Sequence, residues 1–229
     1  MIPIDTTKTK IVILADTSGS MSVMGSTPQT KINDFVREQK GDVLVDVWTF
    51  NTDCKNIYKN VKSSEFNILS TDLIPDGSTA LYSSACKVID KTGEDLLNMT
   101  DYRPGFVIFV IFTDGEENAS RDIYRGEAGR QLLKSKIEHQ QSVYNWTFFF
   151  LGANIDAIHV GSNIGIQPEL CINYMGSSAG CRNVFDSASN AVSRLRSSNP
   201  ADDRQTSIQR SGFTNEERLE SMIVNGKHE

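Results

Sequence analysis

Lys10–Ser20 reads KIVILADTSGS: an apolar run, Lys10–Ala15, closed by an acidic, hydroxyl-rich turn. An apolar stretch without alternation is what a strand covered on both faces requires, since neither set of side chains meets water. Phe106–Phe112, FVIFVIF, repeats this pattern and runs into Asp114. Each run therefore delivers an aspartate just beyond the end of a buried strand.

The rest of the chain alternates around these two runs. Pro28 sits where a first-turn proline belongs and Gly41 where a helix stops, which predicts a helix over Pro28–Lys40. Leu44–Phe50 and Lys55–Val61 read as strands joined by a turn at Asn51–Asp53, a hairpin. Asp76-Gly77-Ser78-Thr79 forms a turn that caps a helix reaching about Leu97. A helix is expected from Ser120 or Asp122 to about Ser142, then a strand at Trp146–Leu151, a short helix at Ile155–Asn163 and a strand at Leu170–Tyr174. Ser178–Arg196 repeats Val184, Ala188, Ala191, Val192 and Leu195 at helical spacing. Strands alternating with helices predict an α/β fold: a Rossmann-like, doubly wound, mostly parallel sheet with one antiparallel edge strand and helices on both faces. Such sheets bind ligands beyond the carboxyl ends of their strands.

Composition limits the function. A chain of 229 residues with a net charge of −6 and no long basic run argues against nucleic acid as a partner. Cys54, Cys86, Cys171 and Cys181 form no CxxC pair, so neither zinc nor a disulfide framework is expected, and reduced thiols fit a cytoplasmic protein. The start, MIPIDTTKTK, lacks a signal-peptide apolar region, and no run is long enough to cross a membrane. Sequons stand at Asn98, Asn118 and Asn145; the last precedes a core strand, where a glycan would oppose burial. His139, His159 and His228 are scattered and read as surface residues, and Cys86 as a buried, inert thiol.

Three loops at the expected binding edge hold the chemistry: Asp16–Met21, Gly77–Leu81 and Phe112–Glu117. Asp16, Ser18, Ser20, Thr79 and Asp114 offer hard oxygen donors with no histidine or cysteine among them. Such donors suit Mg²⁺, with Mn²⁺ or Ca²⁺ as alternatives. Taken singly, each is ordinary: Thr79 a helix cap, Asp114-Gly115 a turn, Ser18 and Ser20 a polar strand end. Glu116 and Glu117 read equally well as supporting groups or as a solvated acidic turn.

Taken together, in this order and at one sheet edge, they resemble the metal-ion-dependent adhesion site (MIDAS) of von Willebrand factor A (VWA) domains. DTSGS matches the DxSxS motif of that family, and Thr79 and Asp114 stand where its Thr and second Asp stand. The resemblance spans Lys10 to Arg196 and leans toward bacterial and viral intracellular members. It implies hydroxyl ligation of the metal by Ser18, Ser20 and Thr79, and ligation by Asp16 and Asp114 directly or through water. It also implies a non-enzymatic module whose metal binds an Asp or Glu of a partner protein. The alternative is a Mg²⁺-dependent hydrolase or phosphotransferase. Haloacid-dehalogenase-like phosphatases also place an Asp after their first strand, but they need a second Asp where Ser18 stands here. No GxxxxGK[ST] loop is present either.

The domain is expected to cover residues 1–196. Residues 197–229 read as a polar tail, loosely packed and dispensable, in which Phe213, Leu219, Met222 and Ile223 form a short amphipathic helix.

Overall fold

A computed structural model describes residues 2–198 and 202–223. His228 lies outside this range. Six strands form one sheet in the order β3-β2-β1-β4-β5-β6. They are β1 Ile4–Asp16, β2 Asp42–Phe50, β3 Cys54–Lys62, β4 Arg103–Thr113, β5 Thr147–Ala153 and β6 Cys171–Tyr174. All neighbours pair parallel except β2 and β3, the hairpin at one edge. The expected fold class is thus observed.

The helices are α1 Thr27–Glu38, α2 Leu81–Leu97, α3 Gly126–Tyr144, α4 Ala157–Asn163, α5 Ser178–Arg196, α6 Arg204–Ser211 and α7 Asn215–Glu220. Chain direction across the sheet reverses at β1, and right-handed crossovers then place α1 on one face and α2 to α4 on the other. Helix α5 returns to pack on α1, with Phe185 between Phe35 and Phe112 at ring-centroid distances of 6.1 and 4.9 Å. Residues Ile11–Ala15 and Ile108–Phe112 are fully buried, as their unbroken apolar runs require.

Several boundaries differ from expectation. A 3-10 turn, Gly19–Met24, follows the DTSGS segment and buries Met21 and Met24. Helix α3 begins at Gly126, after a separate 3-10 turn at Asp122–Tyr124, because Asp122 and Gly126 both take positive φ and break the run. Asn145 is exposed in a left-handed C-cap of α3, so burial of its neighbours does not oppose modification there.

The larger difference is at the carboxyl end. Residues 202–223 do not hang loose; they strap β6 and α5. Ile208 and Phe213 are buried, whereas Leu219, Met222 and Ile223, the expected apolar face, are exposed. Ser221 Oγ donates to Asn173 O at 2.6 Å, and Arg218 Nη1 donates to Cys171 O, also at 2.6 Å. Those carbonyls alternate along β6, so the strap satisfies the open side of an edge strand. Arg194 of α5 reaches Glu217 through two hydrogen bonds of 2.9 and 2.8 Å; burial pushes the Glu217 carboxyl up, but this pairing and the Thr214 amide outweigh it and hold the carboxyl below its usual range. Helix α5 ends at Arg196, and the described residues beyond it pack back on β6 and α5. Polar composition hid this, because most of the contacts are made by arginine, serine and backbone rather than by an apolar stripe.

A chain ending at Ser198 exposes Ile208's and Phe213's docking sites and reopens the β6 edge. Each side chain contributes about 1.5–3 kcal/mol by burial, so the melting midpoint should fall by about 10 °C or more. Calorimetric melting of the truncated and full chains checks this; an unchanged midpoint would show the strap to be passive.

Candidate metal centre

The crevice at the carboxyl ends of β1 and β4 is where the strand order reverses, the position at which open α/β sheets present their loops to a ligand. Register does the placing. Ala15 pairs with Phe112, so the chain enters two loops side by side, carrying Asp16 from one and Thr113-Asp114 from the other. A slip of one residue would turn these side chains to the opposite faces.

Backbone ties fix the loops to each other. Gly19 N donates to Gly77 O at 3.1 Å and Asp76 N to Thr17 O at 2.8 Å. Asn118 N and Ala119 N both donate to Thr79 O, at 2.9 and 3.2 Å, while Thr79 N donates to Asn118 Oδ1 at 2.9 Å. Gly77 holds φ +70°, and a Cβ there would lie 2.9 Å from Thr52 Oγ1, so glycine is required at this turn.

Four of the five expected residues are linked by side-chain contacts. Asp16 Oδ1 accepts from Ser18 N at 2.6 Å, and Asp16 Oδ2 from Thr113 Oγ1 at 2.5 Å. Ser18 Oγ and Ser20 Oγ lie 3.2 Å apart, and Ser20 Oγ donates to Asp114 Oδ1 at 2.7 Å. Thr79, the fifth, stands beside Gly115: a Cβ on Gly115 would be 3.5 Å from Thr79 Oγ1. Thr79 does not cap α2. That task falls to Glu117, whose Oε2 accepts from Tyr82 N at 2.8 Å, and to Ser120, whose Oγ accepts from Ser83 N at 3.1 Å. Glu117 Oε1 also takes the amides of Ala119 and Ser120, so it is a structural brace and not a solvated turn; Glu116 is exposed.

Glu117 thus takes the first of its two readings, a supporting group, while Thr113 and Asn118 support the cluster without having stood out in the sequence as site residues. Thr113 adjoins Asp114, and only the β1–β4 register reveals that its hydroxyl reaches Asp16.

Asp16 and Asp114 are 2% and 3% exposed. Burial pushes the Asp16 carboxyl up to about 6, against the lowering effect of Thr113 and Ser18 and with a further push from the Asp114 charge. Burial raises Asp114 as well, while Ser20 opposes the rise. Asp114 Oδ2 is buried and has no hydrogen-bond partner among the described residues. A buried carboxylate oxygen left unmatched is costly. Two desolvated acids with one orphaned oxygen, beside three hydroxyls and no histidine or cysteine, suit a hard divalent cation. No cluster of three or more His, Cys, Asp or Glu side chains exists among the described residues, so any such site depends on the hydroxyls.

Comparisons with known proteins agree with this geometry at the level of fold. No protein-family model and no curated protein matches the sequence. Solved structures do match. One is the ArnB paralog VWA2 from Sulfolobus acidocaldarius, with TM-score 0.53, 14% identity, and coverage of 82% of this chain and 45% of that one. A von Willebrand factor type A protein from Catenulispora acidiphila gives TM-score 0.52 and 15% identity, covering 80% and 42%. The chain has the von Willebrand factor A fold. Proximal thread matrix protein 1 from the mussel byssus, solved with a zinc-occupied MIDAS motif, gives TM-score 0.59 and 13% identity, covering 82% and 48%. The chain thus spans a little under half the length of these VWA-fold proteins.

The raised Asp16 carboxyl has a pH consequence for the metal-free protein. Its folded value of about 6 exceeds the ordinary 3.8, so the folded state takes up the proton first as pH falls. Stability then rises as pH drops through about 6, and the gain is complete near 3.8. In chelator, wild type should gain about 1–2 kcal/mol relative to Asp16→Asn between pH 7.5 and 5. Denaturant titrations at the two pH values read this difference. Parallel curves for the two proteins would mean that the carboxyl is not desolvated.

Proposed function

We propose that this VWA-fold chain is a binding module in which a Mg²⁺ ion, or Mn²⁺ or Ca²⁺, joins it to an acidic residue of a partner protein. Asp16, Ser18, Ser20, Thr79 and Asp114 would hold the ion. The observation that carries the reading is the buried, unpartnered Oδ2 of Asp114 within a cluster of neutral hydroxyls. The ion would supply a centre of positive charge that two carboxylates do not saturate, leaving attraction for a third, external carboxylate. The zinc-occupied MIDAS of the mussel thread protein supports a divalent cation at this position of the fold. The donor set here, without nitrogen or sulfur, favours the harder cations over zinc.

A binding role is preferred to hydrolysis because the cluster lacks the partners of a nucleophile. Among the described residues, its side chains bond to one another and to the backbone of Ser18 and Gly115, with no His, Cys or Lys taking part. His139 and His159 lie on α3 and α4, both exposed. Among the described residues, Ser18 thus has no imidazole to take its proton. Within this reading the partner is a protein and not nucleic acid, in keeping with the net charge of −6.

Titration calorimetry should show one Mn²⁺ or Mg²⁺ site per chain in wild type and none in Asp16→Ala, with the circular dichroism of the variant unchanged. Partner capture, read by mass spectrometry, should be lost in EDTA and fall at least about tenfold in Thr79→Ala, the weight of one lost ligand or strong hydrogen bond. Unchanged Mn²⁺ binding by Asp16→Ala would refute the site. A partner held equally well in EDTA and by Thr79→Ala would place recognition elsewhere on the surface.

A further inference from the structure

The opposite end of the sheet carries a second concavity that the metal centre does not use. A cleft of about 270 Å³ opens where β4 begins, between the carboxyl ends of α2 and α3. Leu96, Leu97, Val107, Val143, Tyr144 and Trp146 supply its apolar walls. Its size is near the lower limit of small-molecule sites, which are mostly apolar with a few placed polar groups.

Two features distinguish this cleft from a packing defect. The first is Arg103. It lines the cleft, its Nε is buried without a hydrogen-bond partner among the described residues, and no acidic side chain lines the cleft with it. A guanidinium left in this state retains unused donors in a planar fork matched to a carboxylate. The second is Gly93, which sits inside α2 and also lines the cleft. A Cβ built there meets no atom within 4 Å, so no neighbouring group demands glycine. Glycine within a helix costs about 0.5–1 kcal/mol relative to alanine. Here the missing side chain leaves open space in the cleft wall.

We propose that this cleft binds a small apolar carboxylate, with the acid paired to Arg103 and the hydrocarbon or ring seated against Leu96, Val107 and Trp146. A cleft of this volume admits a ring with a short chain.

The test uses the full chain in EDTA, which separates this site from carboxylate binding at the metal centre. 4-Phenylbutanoate is titrated and followed by the indole N–H signal of Trp146, with 4-phenylbutanamide as the uncharged counterpart. Wild type should bind the acid at least about tenfold more tightly than the amide, the weight of one charge-assisted hydrogen bond. Arg103→Gln should erase that preference, and Gly93→Leu, which fills the open space and raises helix propensity, should weaken both compounds. Asp16→Ala should bind the acid as wild type does. If Arg103→Gln fails to fold, the acid–amide comparison and Gly93→Leu still decide. Absence of acid binding at millimolar concentration, equal affinity for acid and amide, or an unaffected Gly93→Leu would each overturn the proposal. Because every arm is metal-free, the proposed adhesion function can fail while this inference stands, and the reverse.

Discussion

The parallel pairing of β1 with β4 governs the rest of the molecule. From Thr9–Phe106 to Ala15–Phe112 the two strands run without a break in register, both fully buried through their central residues. Their side chains face helices on both sides, so neither strand tolerates a shift that would carry apolar groups to water. That constraint fixes which loop residues meet. Asp16 leaves β1 beside Thr113, and Asp114 follows one residue later. The order of strands reverses at this pair, so no helix roofs the crevice above it.

Local energetics at the crevice oppose the economy of the fold beneath it. The sheet gains by removing apolar surface from water, and the same burial desolvates two aspartates whose charges raise each other's cost. Hydroxyl and amide donors from Ser18, Ser20 and Thr113 return part of that cost, and Asp114 Oδ2 receives none. Local imbalance of this kind, sustained by a strongly packed scaffold, is the usual signature of a site poised for a ligand. Tyr174 extends the support from β6: its hydroxyl donates to Thr113 O at 3.2 Å, and burial holds its ionisation far above the ordinary range.

The two edges of the sheet are closed by different means. Strand β3 packs Ile57, Tyr58 and Val61 against the core, while Lys55, Lys59 and Lys62 make it a poor template for another strand. Strand β6 is short and apolar and is closed by the strap of α6 and α7, whose arginine and serine side chains take its outward carbonyls. The strap also grips α5 through Arg194 and Glu217, so the last strand, the last long helix and the carboxyl-terminal segment form one mechanical unit. A buried pair at the other side, Lys10 with Asp46 at 2.6 Å, joins β1 to β2 while Asn60 of β3 completes its hydrogen bonds.

KIVILA and FVIFVIF mark buried strands because apolar runs of that length belong in an α/β core, and the aspartates behind them are legible for the same reason. Helical spacing located α5 to the residue, from Ser178 to Arg196. Hydroxyl and carboxylate types just beyond the two apolar runs, with Thr79 ahead of α2, mark the candidate cluster in the sequence itself. Contacts between residues remote in sequence were not legible: Thr113 with Asp16, Glu117 at the start of α2, and the strap on β6 rest on polar groups whose partners lie 97, 35 and 48 residues away. The Arg103 cleft was equally hidden, since a glycine in one helix and an arginine at a strand's start gain meaning only when packing sets them side by side. The sequence by itself determined the six strands, the helices α1 to α5 and the residue types that crowd the strand ends, because periodicity and apolar runs act locally. Only the tertiary structure decided which polar groups are satisfied, which are left open, and how the described residues after α5 close the β6 edge, because hydrogen-bond pairing and desolvation depend on neighbours that folding alone supplies.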